Sequence, residues 1–178
     1  MSTVAASDVD REALPQELEE IFRKHYQLVY RTAYSVTGSA EDAEDVLQSL
    51  FLRLLGRGFP ADLRQNPKGY LYRAAFNLSL NVIRSRKRHP SCGSTEPIET
   101  VAPTDSEFRE EMDKRLREAI GHLHPNAAQI LILRYVHNCS DSEIAKLMGT
   151  SRGTVAVSLF RSRARLKKLV RERLGEKV

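Results

Sequence analysis

The side chains of this 178-residue chain whose types and spacing could do chemistry are four metal-competent donors, His122, His124, His137 and Cys139, and a run of cations near the C-terminus. The donors could hold zinc only by converging on one ion, about 2 Å from each. Residues 125 to 137 read as a helix, which at ~1.5 Å rise per residue puts its ends roughly 18 Å apart, so no shared metal site is expected. Cys92 and Cys139 form neither a CxxC pair nor a disulfide framework. The acids lie on helix starts and exposed faces rather than as a convergent metal-binding set, so the chain is not expected to be an enzyme and no cofactor is implied. The cations point elsewhere. Arg152, Arg161, Arg163, Arg165, Lys167, Lys168, Arg171 and Arg173 stand against the single acid Glu172, a density that suits the phosphate backbone of nucleic acid. Taken alone, the charge also fits a basic helix that merely keeps a bundle soluble.

The elements needed to position those cations are legible upstream. Ser140 and Glu143 have the spacing of a capping box, Ile144, Leu147 and Met148 recur at helical period, and Gly149 supplies a left-handed stop. Ser151 then caps a second helix. Its apolar stripe is Val155, Leu159, Leu166 and Leu169, which leaves Ala156, Val157, Phe160, Arg161 and Lys168 facing outward. Two short helices about a glycine turn, the second basic, form a helix-turn-helix whose outward arc suits a major groove.

Composition places the charge rather than spreading it. The net charge is +5, yet residues 1 to 62 carry eleven acids against six bases. No stretch approaches the ~20 apolar residues of a membrane span and no secretion signal opens the chain, so a cytoplasmic protein without membrane insertion is expected.

Every element the pattern predicts is helical. Residues 1 to 13 are polar and small, and are expected to be disordered. A helix runs from Pro15 to Thr37 and stops at Gly38; a second, capped by Ser39 and Asp42, extends through Leu54. On that second helix Ala43, Val46, Leu47, Leu50, Phe51 and Leu54 form the apolar face, whereas Leu52 falls among Asp45, Gln48 and Ser49 on the other side. Leu52 is either a singly exposed leucine or the apolar centre of a docking patch. Residues 56 to 66 read as a loop, and Asn66-Pro67 opens a third helix that runs to about Arg88. It presents Tyr70, Tyr72, Arg73, Asn77, Asn81 and Arg84 before Arg86, Lys87 and Arg88. Such rings and amides suit unpaired bases, although tyrosines at helical spacing equally suit a core. His89 to Thr104 turns to Pro, Ser, Thr, Gly and Glu and reads as a linker. Thr104 and Glu107 cap a helix to about His122, and Pro125 opens one to about Val136. The fold class is therefore all-α: two small helical domains joined by a flexible linker, the second containing the helix-turn-helix.

Taken in order, Asp42-Ala-Glu-Asp-Val-Leu-Gln-Ser-Leu-Phe-Leu-Arg-Leu54, Gly69-Tyr-Leu-Tyr-Arg-Ala-Ala-Phe-Asn-Leu78, Ala127-Ala-Gln-Ile-Leu-Ile-Leu-Arg-Tyr135 and Ser142-Glu-Ile-Ala-Lys-Leu-Met-Gly149 resemble the extracytoplasmic-function group of bacterial sigma factors. The resemblance implies a region 2 domain at 14–89, a linker at 90–104 and a region 4 domain at 105–175. It further implies binding to core RNA polymerase, recognition of the minus-10 and minus-35 elements of promoter DNA, and restraint by an anti-sigma factor. Position by position, Asp45, Gln48, Ser49 and Leu52 correspond to the polymerase-docking segment. The loop from Gly58 to Asn66 corresponds to the one that captures an extruded minus-10 base, with Arg73, Asn77, Asn81, Arg84, Arg86, Lys87 and Arg88 near the strand. Arg152, Thr154, Ala156, Val157, Phe160, Arg161, Arg165 and Lys168 correspond to the minus-35 reader. The group often has aspartate where this chain has Asn81. It often has Lys-Ser-Arg at Ala156-Val157-Ser158, so small groups suited to a thymine methyl replace charge here. The linker acids Glu96, Glu99 and Asp105 are candidates for mimicking nucleic acid inside the polymerase. From the residues alone, a self-sufficient helix-turn-helix regulator that binds duplex DNA as a symmetric dimer remains open beside this reading.

Overall fold

A computed structural model describes the backbone of residues 7–88 and 105–173, with side chains over 16–86, 111–169 and 171. The elements are α1 (Ser7–Thr37), α2 (Ala40–Arg57), α3 (Ala61–Gln65), α4 (Pro67–Arg88), α5 (Asp105–Gly121), α6 (Pro125–Tyr135), α7 (Asp141–Met148) and α8 (Arg152–Arg173). Local chemistry sets their boundaries. Ser39 accepts from the Asp42 N–H at the start of α2, and Asn66 Oδ1 accepts from the Gly69 N–H at 3.0 Å at the start of α4. The Ser140–Glu143 capping box is complete, and Gly149 ends α7 at φ 65°, in the left-handed region. Ser151 accepts from the Thr154 N–H at 3.1 Å and opens α8.

Two expectations need correction. Residues 7–13, expected to be disordered, continue α1. Extending a helix already anchored by a core costs little. The expected loop at 56–66 contains α3, because Leu63 packs fully into the core and its N–H bonds back to the Pro60 carbonyl. Residues 1–6 and 89–104 lie outside the described residues, and with them the whole of the expected linker, including Glu96 and Glu99.

In the N-terminal unit, α1, α2 and α4 bury Val29, Ala33, Val46, Leu50, Leu54, Leu63, Leu71 and Ala75 together. The C-terminal unit packs α5 to α8 around Leu123, Ile130, Leu131, Leu133, Ile144, Leu147, Val155 and Leu159. That second core does not stop at the unit's edge: Tyr72 and Phe76 of α4 belong to it, with Leu28, Val36 and Leu80 packed alongside. Helix α4 is therefore apolar on two adjacent faces. Leu71 and Ala75 look toward the N-terminal core, whereas Tyr72, Phe76 and Leu80, at i, i+4 and i+8, look toward the helix-turn-helix unit. Hydrogen bonds complete the seam. Tyr72 donates to the Gln129 carbonyl at 2.6 Å, Arg73 to the Leu147 carbonyl at 2.7 Å, and Arg31 to the Val136 carbonyl.

Candidate polymerase and nucleic-acid interfaces

Three surfaces carry the candidate residues. The first is the outer face of α2. Its inner face is held by Val46, Leu50 and Leu54, all nearly fully buried, so the helical period forces Asp45, Gln48, Ser49 and Leu52 into solvent. Leu52 is 65 % exposed, and Leu55, which the sequence reading leaves unassigned, is 51 % exposed. An apolar pair with a polar surround is the composition of a protein-docking patch.

The second surface is a cleft of about 430 Å³ between the end of α2, the 58–60 turn and α4. Asn77 and Asn81 line it as expected, joined by Arg53, Arg57, Phe59 and Tyr70. The two arginines belong to α2, and their distance along the chain from the α4 motif hides them from a reading by sequence neighbourhood. The cleft supplies amides for a base edge, rings for its face and guanidinium groups for the adjoining phosphate. Other residues assigned to this strand are committed elsewhere. Arg73 points to α7 rather than the cleft. Arg86 forms an ion pair with Asp42 at 2.7 Å. Asp42 Oδ2 is buried with no hydrogen-bond partner among the described residues. Burial outweighs the guanidinium and pushes the Asp42 carboxyl above the usual carboxylate range. Arg84 is exposed, and the side chains of Lys87 and Arg88 lie outside those described. Tyr72, open between core and base contact on sequence grounds, is core: it is 0 % exposed.

The third surface is the outward arc of α8. Val155 and Leu159 anchor the helix, so Arg152, Thr154, Ala156, Val157, Phe160, Arg161, Arg165 and Lys168 are all exposed, Phe160 at 76 %. Thr154, Val157, Arg161 and Arg165 face a groove of about 540 Å³ completed by His124 and Asn126 at the start of α6. Cations and an exposed ring thus stand beside a helix N-terminus, where main-chain N–H groups favour phosphate. The scaffold beneath is braced. Arg134 donates to the Cys139 carbonyl at 2.9 Å and pairs with Asp141 at 2.6 Å, and Arg163 donates to the Tyr135 hydroxyl at 2.6 Å. The Ser140 main-chain N–H and hydroxyl hold Glu143 below the usual carboxylate range.

Comparison with known proteins agrees with this layout. Residues 21–89 match the family Sigma-70 region 2, and residues 113–166 match Sigma-70, region 4. The RNA polymerase sigma-E factor of Streptomyces antibioticus is 30 % identical, over 85 % of this chain and 83 % of its own length. The chain belongs to the extracytoplasmic-function group of RNA polymerase sigma factors. This sigma factor is also 26 % identical to the ECF sigma factor SigW of Bacillus subtilis, over 92 % of this chain and 91 % of the relative. It is 30 % identical to the ECF sigma factor SigE of Mycolicibacterium smegmatis, of whose length it spans 63 %. Its fold is shared with the sigma factor RpoE of Bartonella quintana, solved in complex with the anti-sigma factor NepR. That match has a TM-score of 0.53 and 20 % identity, and covers 88 % of this sigma factor and 98 % of the other chain. CnrH, solved with the cytosolic domain of CnrY, has the same fold at a TM-score of 0.58 and 17 % identity, over 90 % and 91 % of the two chains. Among the described residues no helix is long and apolar enough to cross a membrane.

Proposed function

We propose that this sigma factor docks on core RNA polymerase through Asp45, Gln48, Ser49 and Leu52 and directs it to promoters, with catalysis left to the polymerase. The α4 cleft takes an unpaired minus-10 base, using Asn77 and Asn81, with Arg53 and Arg57 on the adjoining backbone. Extruding a base from a duplex costs a few kcal/mol, so a cleft that rewards the extruded base favours melting where the sequence fits. The α8 arc reads the minus-35 duplex: Ala156, Val157, Phe160 and Arg161 reach base edges, while Arg152, Thr154, Arg165 and Lys168 meet phosphate. The factor works in the cytoplasm, where the polymerase is, and an anti-sigma factor holds it until a signal arrives. The fold it shares with the sigma factor RpoE of Bartonella quintana, solved with the anti-sigma factor NepR, supports that restraint.

The observation that carries the docking assignment is Leu52, exposed on a helix whose opposite face is sealed in the core. Replacing Leu52 with Glu puts a charge at the centre of the patch without touching the core. The variant is expected to lose capture of purified core polymerase while its C-terminal unit still binds duplex DNA. Equal loss of both would refute the docking role.

A further inference from the structure

The last five residues of α4 carry four cations, Arg84, Arg86, Lys87 and Arg88, and one of these is held by a buried acid. Asp42, in the first turn of α2, is 6 % exposed, and its Oδ1 accepts from Arg86 Nη2 at 2.7 Å. Its other oxygen, Oδ2, is buried with no hydrogen-bond partner among the described residues. The Arg86 side chain, by contrast, is 57 % exposed. The two partners are therefore unequally placed. Arg86 can turn into solvent and keep its charge there, whereas Asp42 cannot follow it. A carboxylate left behind would be a buried charge with no cation beside it, which is costly. A proton on Asp42 would remove that charge.

From this asymmetry we infer that Asp42 stands in for a phosphate: when the promoter strand reaches the end of α4, Arg86 exchanges the Asp42 carboxylate for a backbone phosphate, and Asp42 takes up one proton from solvent. The inference rests on the proposed minus-10 role of α4. Charge balances in the exchange, because the guanidinium stays protonated throughout, the phosphate replaces the carboxylate as its counter-ion, and the carboxylate is neutralised by the proton. The exchange is favoured by geometry. An exposed phosphate can accept two parallel N–H bonds from a guanidinium, where Asp42 accepts one. The surroundings of Asp42 favour the proton. Burial is the largest influence and raises the carboxyl above its usual range; Arg86 opposes it, while Glu41 and Asp45 on the same helix add to it. The last turn of α1, Tyr34 to Thr37, brings no charge. Departure of Arg86 thus removes the group that keeps Asp42 ionised. Strand binding should therefore tighten as pH falls, by at most about tenfold per pH unit for one proton. Asp42 acts through Arg86, as a positioning residue.

The test uses holoenzyme assembled from core polymerase and the full chain, with a fluorescently labelled genomic fragment from which that holoenzyme initiates. Affinity is measured between pH 8 and pH 6, at several salt concentrations, for the wild type, Asp42→Asn, Arg86→Ala and the double variant. Asp42→Asn keeps the shape of the side chain but cannot ionise, so its ratio to the wild type cancels the titration of histidines and of the polymerase. At pH 8 it is expected to bind severalfold tighter than the wild type. Its slope of log affinity against log salt should be steeper by about 0.7–0.9, the value of one more phosphate contact. Both differences should shrink toward pH 6, where the wild type completes the same exchange. In the Arg86→Ala background, Asp42→Asn should change neither affinity nor slope. Weaker binding by Asp42→Asn with a flatter slope would make Asp42 a brace that aims Arg86, and would overturn the exchange. A ratio independent of pH would overturn it too. Should Asp42→Asn fail to fold, the ratio of wild type to Arg86→Ala decides, since the exchange requires it to rise on acidification; a flat ratio overturns the exchange. If the wild-type holoenzyme binds no fragment, the minus-10 reading of α4 fails and the exchange with it, whereas binding with a flat ratio overturns the exchange alone.

Discussion

His137 shows how a single side chain ties the units together. Thr32 Oγ1 already donates its one proton to the Leu28 carbonyl at 2.7 Å, so its contact with His137 Nε2 requires the ring to donate from that nitrogen. Burial, and then the neighbouring Arg31 and Lys68 cations, lower the imidazole from its ordinary 6.5 to about 4. A base whose folded pKa is depressed favours the packed state fully above its free value and loses that contribution as protons arrive. The seam should therefore weaken as pH falls from 6.5 toward 5, a window in which carboxylates are still largely ionised. The imidazole edge is partly in water, so we expect a loss of about 1–2 kcal/mol over the window. Hydrogen exchange of the α6–α7 turn, once the intrinsic pH dependence of amide exchange is divided out, should show protection falling over this range in the wild type. A smaller trend should survive in His137→Asn, because His25 is also lowered, by burial and then by Lys24 and Lys68.

Among the elements, α2 and α8 follow their hydrophobic periods closely. Once Val46, Leu50 and Leu54, or Val155 and Leu159, take the inner face, geometry alone exposes Leu52 or Phe160. Base readers and phosphate anchors on α8 should separate energetically. Arg161→Ala is expected to cost about 1–3 kcal/mol on the cognate duplex and little on unrelated duplexes. Arg152→Ala should weaken binding uniformly and reduce the slope of log affinity against log salt by about one. Binding titrations at several salt concentrations distinguish the two, and a uniform loss for Arg161 would make it a phosphate contact. Helix α4 follows a different logic. Its rings are visible in the sequence, but two apolar faces 100° apart resemble one broad face, and period alone does not say which ring meets protein and which meets a base. The short helix α3 escapes the pattern because five residues hold too few turns to show a period.

At the scale of the whole molecule, the two units share apolar side chains although residues 89–104 separate them in the chain and both carry a net positive charge. Phe76, 1 % exposed, lies in the C-terminal core while its helix belongs to the N-terminal unit. Removing it should cost about 3–5 kcal/mol, as for a buried aromatic residue. In calorimetry, the wild type is expected to unfold in a single transition and Phe76→Ala in two, because the units would then melt separately. A single transition shifted down in temperature would mean that the coupling runs through other contacts. The sequence by itself determined most of the helices, their caps and the outward faces of α2 and α8. All of these depend on neighbours within about four residues, or on ordered motifs that survive without knowledge of distance. Only the tertiary structure decided that Tyr72 is core, that Arg73 caps α7 and that Arg53 joins Asn81 in one cleft. Those pairings join residues far apart in the chain, where no period records which surfaces meet.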